Sequence, residues 1–181
     1  MNRSFSAVLC LVIGSALTGC SGVHTVTHSG ADDGRPSSSP AQAGISSSAA
    51  LVKVRTADVS IPAGGNADAT VTLLISPGYH VNANPATFAY LIPTAINPGK
   101  AEGIIAGKPA YPVAQKKKFQ FADGPLAVYE GEVQIRLPLR VAANASKGAR
   151  SLPVDVRVQA CDNEKCYAPD TLKTTIAVDV K

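Results

Sequence analysis

From Leu51 to the end of the chain, apolar and polar residues alternate in short runs broken by glycine and proline. The longest run spans residues 128–141. There Val133, Ile135, Leu137, Leu139 and Val141 fall on one face, while Gln134, Arg136 and Arg140 fall on the other. A period of two is what a strand needs when one of its faces is buried. Residues 51–55, 69–75, 79–82, 91–96, 103–106, 118–121, 152–158 and 171–180 read the same way, many of them rich in β-branched side chains. Turns are predicted at Pro62-Ala63-Gly64-Gly65, Ser76-Pro77-Gly78, Ala83-Asn84-Pro85, Asp123-Gly124-Pro125 and 144–150. No window carries the spacing of an amphipathic helix. Short strands joined by Gly/Pro turns predict an all-β sandwich over residues 51–181.

The pattern before Leu51 differs. Arg3 opens a positively charged start, and residues 5–17 are small or apolar without charge. That length suits the apolar core of an export signal and is too short for a stable membrane span. The run ends in Leu17-Thr18-Gly19-Cys20, which resembles a bacterial lipobox. The expectation is a signal peptide over residues 1–19, cleaved before a lipidated Cys20. More than one acyl chain gives lasting attachment to a membrane. Ser21, rather than Asp, follows the cysteine, which by the sorting rule for such lipoproteins points to the outer membrane facing the periplasm. Residues 20–50 are dominated by Ser, Gly, Ala, Pro, Thr and Asp and predict a disordered linker. Its root-mean-square reach is about 30 Å. His24 and His28 lie on it and read as ordinary linker residues.

Charge excludes one class of function. Removing Arg3 from 17 basic residues leaves 16 against 13 acidic ones, with no basic stripe, so nucleic acid is not an expected partner. Lys116-Lys117-Lys118 reads as a solvated strand end. No serine, histidine and carboxylate constellation suggests hydrolysis.

Cysteine usage changes the picture most. Of the four cysteines, Cys10 leaves with the signal and Cys20 carries lipid, so within one molecule Cys161 and Cys166 can pair only with each other. The four residues between them, Asp162-Asn163-Glu164-Lys165, are polar. Extended, the two Cα atoms would stand roughly 16 Å apart. A disulfide needs about 4.4–6.8 Å, so the chain must turn back between them. Three chemistries are open to such a pair. As a structural staple it closes so short a loop that it contributes only about 2 kcal/mol. As a redox pair it opens and closes by thiol–disulfide exchange. As a metal site the two thiolates supply only half a tetrahedral set, with His80 as a candidate further ligand. His80 reads equally well as a plain strand residue. No cofactor is expected, and a resident metal is not the favoured reading.

The order of motifs resembles a known family. Gly78-Tyr79-His80-Val81-Asn82-Ala83-Asn84-Pro85 comes first, then Leu91-Ile92-Pro93-Thr94, Tyr111-Pro112 and a Lys-Phe segment. Leu126-Ala127-Val128-Tyr129-Glu130-Gly131 follows, and Gln159-Ala160-Cys161 with Cys166-Tyr167-Ala168-Pro169 closes the set. Together they are similar to the N-terminal periplasmic domain of the thiol:disulfide interchange protein DsbD, over about residues 51–181. The resemblance implies an immunoglobulin-like sandwich in which Cys161 and Cys166 form a redox-active disulfide. It implies electron transfer from a thioredoxin-like or DsbD-type donor to periplasmic thiol/disulfide client proteins, as in a protein-disulfide reductase. In the family a cap loop with an aromatic residue shields the pair, and the mixed disulfide forms on the later cysteine. Here Phe119 or Phe121 is the expected shield, with Tyr129 and Tyr167 as further candidates, and Cys166 is the expected point of attack. Two departures stand out. Ala168 replaces the first of two prolines that often follow the Cys-Tyr pair, and the chain carries neither the membrane domain nor the thioredoxin-like domain. The donor is therefore expected to be a separate protein. The alternatives that remain are a lipid-anchored binding module with a purely structural disulfide, and a metal-handling lipoprotein.

Overall fold

A computed structural model describes residues 47–181. The expected signal peptide, the expected lipidation site Cys20 and most of the expected linker lie outside the described residues. Twelve strands follow in chain order: β1 (Val52–Thr56), β2 (Val59–Ile61), β3 (Asn66–Ile75), β4 (His80–Asn82), β5 (Ala95–Pro98), β6 (Ile104–Ala106), β7 (Gln115–Lys117), β8 (Leu126–Tyr129), β9 (Glu132–Val141), β10 (Gly148–Val158), β11 (Ala160–Cys161) and β12 (Asp170–Val180).

They form three sheets, ordered β1-β3-β9-β6, β2-β12-β10-β5 and β11-β4-β8-β7. All pairings are antiparallel except that of β12 with β2. The alternating pattern predicts which faces are buried, and the register carries it out. In the first sheet Ala69, Val71 and Leu73 stand opposite Leu137, Ile135 and Val133, so their side chains share the inner face. In the second, Leu152 stands opposite Ile176, and Val154 and Val156 continue the same face. The two inner faces meet in one core that includes Leu73, Ile135, Leu137, Leu152, Ile176 and Val180. Burying one such side chain contributes about 1.5–3 kcal/mol. Aromatics are few, and branched aliphatics fill the space. The chain is an all-β, immunoglobulin-like sandwich, and the third, smaller sheet lies at the site of the cysteines.

Three details differ from the alternating pattern. The 128–141 run is two strands: it breaks at Gly131, whose φ is +63°, so that β8 enters the small sheet and β9 the first large one. Residues 91–94 form a loop, because side chains of β4 and its flank take their backbone groups. Asn82 Nδ2 donates to the Ile92 carbonyl (3.0 Å), Asn84 Nδ2 donates to the Thr94 carbonyl (2.8 Å), and Thr94 donates from its amide and its hydroxyl to the Asn82 carbonyl. Residues 118–121 also leave the ladder after β7, and their aromatic rings pack on a neighbour described below.

The described residues begin at Ser47, inside the stretch expected to be linker. Ser47 bridges Ala168 in parallel, and Ser48–Ala50 make one 3-10 turn. The buried Ser48 hydroxyl explains the docking: it donates to the Ala168 carbonyl (2.7 Å) and accepts from the Ala160 amide (2.9 Å). No helix among the described residues is long and apolar enough to cross a membrane.

Candidate functional site

Strands β10 and β12 pair along their whole length, down to Val158 opposite Asp170. The intervening residues 159–169 leave that sheet. Ala160 and Cys161 pair instead with Val81 and His80 of β4. The chain then turns at once, and Cys166 comes to lie opposite Cys161. Backbone bonds close both sides of this pair: the Asp162 amide donates to the Lys165 carbonyl (2.9 Å), and the Tyr167 amide donates to the Ala160 carbonyl (2.8 Å). Directly opposed residues in the non-hydrogen-bonded position of an antiparallel ladder come closest together. The two Cα atoms are 3.9 Å apart and the sulfurs are bonded.

Asp162 shapes the turn. Its Oδ1 accepts from the amides of Glu164 and Lys165, both at 2.8 Å, which is an Asx-type turn. Its Oδ2 accepts from the Tyr167 hydroxyl at 2.7 Å. That bond, with the backbone amides and the Lys165 charge, holds the Asp162 carboxyl below the usual carboxylate range. The same bond raises the Tyr167 phenol above its ordinary value. The Tyr167 ring also meets Tyr79 edge-on and carries the Lys165 ammonium at 5.4 Å from its centre.

The two cysteines differ in exposure. Cys161 is fully buried, whereas Cys166 is only half-buried. Cross-strand partners project to the same side of a sheet, so His80 stands beside Cys161 on that side. Phe119 stacks on the His80 ring with centroids 4.0 Å apart, and Phe121 lies parallel to it at 6.5 Å. Phe119 is buried and Phe121 is partly exposed. Phe119 packs in turn with Leu91, Leu126 and Val128. Of the four aromatic candidates, the structure brings Phe119 and Phe121 together over His80. Tyr167 flanks the turn. Tyr129 stands opposite Val81, which in turn faces Ala160, and all three belong to the main core. Its hydroxyl donates to the Pro112 carbonyl (3.1 Å), so Tyr129 sits on the other face of the small sheet from His80.

A cleft of about 300 Å³ adjoins the site, lined by Tyr79, His80, Lys117, Glu130 and Asn163 among others. Lys117 and Glu130 form an ion pair there. Burial lowers the His80 pKa, opposed by the charges of Glu130 and Asp162 and reinforced by Lys117. Among the described residues, no group of three or more His, Cys, Asp or Glu side chains is placed to hold a metal ion.

Two residues of the site carried no functional reading in the sequence. Ser48 lay in a serine-rich stretch with no pattern to single it out. Asp162 is one of four polar residues between the cysteines in the sequence reading, although Asp followed by a polar pair inside a tight turn is the signature of the turn it makes.

Among solved structures, the chain is similar to the reduced N-terminal domain of DsbD from Neisseria meningitidis, at 20% identity over 72% of this chain and 90% of that one, with a TM-score of 0.42. It is similar to the N-terminal periplasmic domain of ScsB from Proteus mirabilis, at 14% identity over 72% of this chain and 47% of that one, TM-score 0.48. A third likeness is to a structure of the complex between the DsbD and PilB N-terminal domains of Neisseria meningitidis, at 18% identity over 69% of this chain and 80% of that one, TM-score 0.40. No curated protein matches the chain. The family described as "Thiol:disulfide interchange protein DsbD, N-terminal" matches residues 48–177, which takes in nearly every described strand and both cysteines. The family and the Cys161–Cys166 disulfide together support thiol–disulfide exchange, and the chain belongs to the family of DsbD N-terminal domains.

Proposed function

We propose that this protein relays electrons by disulfide exchange between a thioredoxin-like or DsbD-type donor and client proteins of the periplasm. The observation that carries the reading is the unequal exposure of the bonded cysteines: Cys166 is half-buried and Cys161 is covered. A partner thiolate attacks the Cys166 sulfur in line, and the bond to Cys161 breaks. A mixed disulfide joins the partner to Cys166, and the bond's electron pair leaves on Cys161. The partner's second thiolate then attacks its own sulfur in that mixed disulfide and releases Cys166. The partner ends as a disulfide and the pair as a dithiol, with the partner's two protons transferred to the two cysteines. The reverse sequence reduces a client.

Phe119 and Phe121 act as the cover that partners must displace. The export signal and lipidation at Cys20 would hold the domain on the outer membrane, facing the periplasm, with the linker giving it reach.

Trapping tests the reading. Cys161→Ala leaves Cys166 as a lone thiol; when a partner's single active cysteine is first converted to its mixed disulfide with thionitrobenzoate, Cys166 attacks it, expels the thionitrobenzoate thiolate and stays bonded to the partner. Cys166→Ala, with only the buried thiol left, should trap far less. Failure of both variants to capture any thioredoxin-like protein, with a pair that periplasmic reductants cannot open, would leave the disulfide as a structural staple.

A further inference from the structure

The His80 ring is 1% exposed, and its Nε2 is buried with no hydrogen-bond partner. An unpaired buried nitrogen of this kind costs about 1–3 kcal/mol unless something compensates it. Its surroundings are specific. Phe119 covers one face of the ring at 4.0 Å, and across the strand stands Cys161, wholly buried and projecting to the same side. In the disulfide state that sulfur has no proton to give and no charge to receive. Reduction changes this, because Cys161 then carries a thiolate or a thiol beside the imidazole.

We propose that His80 is a positioning residue for the redox pair, its Nε2 serving as the hydrogen-bond partner of the Cys161 sulfur once the disulfide opens. The inference rests on the exchange reading above and deepens it. When a partner thiolate attacks Cys166, the electron pair of the broken bond goes to Cys161. The Nε2–H donates to that leaving thiolate and stabilises it in a site closed to water. The imidazole is not consumed. Cys161 later takes up one of the two protons that the partner dithiol loses. The orphaned nitrogen of the oxidised state is therefore satisfied in the mixed disulfide and the dithiol. Folding leaves Nε2 waiting, and the balance shifts toward the reduced form.

The charged groups near His80 fit the same role. Glu130 and Asp162 favour an imidazolium, while Lys117 and burial oppose it. Burial is the largest of these influences and holds the ring neutral until a thiolate appears beside it.

The test compares wild type with His80→Phe, which keeps the ring stack on Phe119 and removes the nitrogen, and with His80→Gln, which keeps an N–H donor. The readout is the equilibrium of the full chain with dithiothreitol. Loss of one hydrogen bond to the Cys161 sulfur should move it about tenfold toward the disulfide in His80→Phe. His80→Gln should recover part of that shift. A wild-type measurement needs no variant to fold: the His80 Nε2 resonance, followed by ¹⁵N NMR, should move between oxidised and reduced protein, and the ring should titrate at higher pH in the reduced form. An unchanged equilibrium in a folded His80→Phe variant, or identical Nε2 resonances in the two states, overturns the inference. If the trapping experiment still succeeds then, exchange stands and only the role of His80 falls. If no partner exchanges with the pair, the function itself fails.

Discussion

The Tyr167 hydroxyl donates a 2.7 Å hydrogen bond to Asp162 Oδ2 across the turn that bears the disulfide. Asp162 directly follows Cys161 and Tyr167 directly follows Cys166, so this bond and the disulfide close the same turn side by side. The hydrogen bond holds the Asp162 carboxyl below its ordinary range. A carboxyl depressed in the folded state contributes stability above its unfolded pKa, about 3.9, and that contribution fades as pH falls through the lower folded value. Tyr167→Phe should raise the Asp162 pKa toward the ordinary value, read by carboxyl ¹³C NMR. Its stability deficit should be constant above about pH 5 and shrink in acid. A deficit independent of pH would mean that the hydroxyl acts elsewhere.

Ser48, ahead of β1, is tied to both sides of the cysteine loop through the Ala160 amide and the Ala168 carbonyl. Ser48→Ala leaves a buried amide without a partner and should cost about 1–3 kcal/mol in urea unfolding of the oxidised protein. Hydrogen exchange at the Ala160 amide should speed up more than at amides in the middle of β9. Equal acceleration across the domain would show global loosening instead.

Phe119 covers His80 from the loop after β7. Phe119→Ala should destabilise the domain by about 3 kcal/mol, at the lower end for loss of a buried aromatic. It should also speed reduction of the disulfide by dithiothreitol, because the cover over that side of the small sheet is gone. Phe121 is partly exposed, so Phe121→Ala should cost less stability. A Phe119→Ala protein reduced no faster than wild type would remove the cover from the account of the site.

Gly131 joins β8 to β9 with φ at +63°, and a Cβ built there would meet no atom within 4 Å. Gly131→Ala should therefore cost only the backbone strain of the left-handed conformation, about 1–2 kcal/mol. The measurement is denaturant unfolding. A much larger loss would mean that the break between the two strands, and with it the docking of β8 against β4, tolerates no adjustment.

Much of the sandwich is legible in the residues. Val133, Ile135, Leu137, Leu139 and Val141 are all buried, as their period of two requires, and the strands flanking the cysteines pair as their alternation implies. A strand's pattern is local, since each side chain's face follows from its own position in the pleat. The same locality hid the break at Gly131, because an alternating run carries no mark of which sheet each half joins. It also misread residues 91–94 and 118–121, whose backbone groups or rings are claimed by residues distant in the chain.

By itself the sequence determined that two thiols must meet on a tight polar turn, that the fold is built of strands, and which family the motifs belong to. Only the tertiary structure decided which cysteine is covered, that Ser48 anchors the loop, that Tyr129 faces the core, and that His80 shares a face with Cys161 beneath Phe119. The physical reason is range. Periodicity and turn chemistry act over a few residues, whereas burial and hydrogen bonding at this site join segments up to 120 residues apart, whose meeting no local pattern encodes.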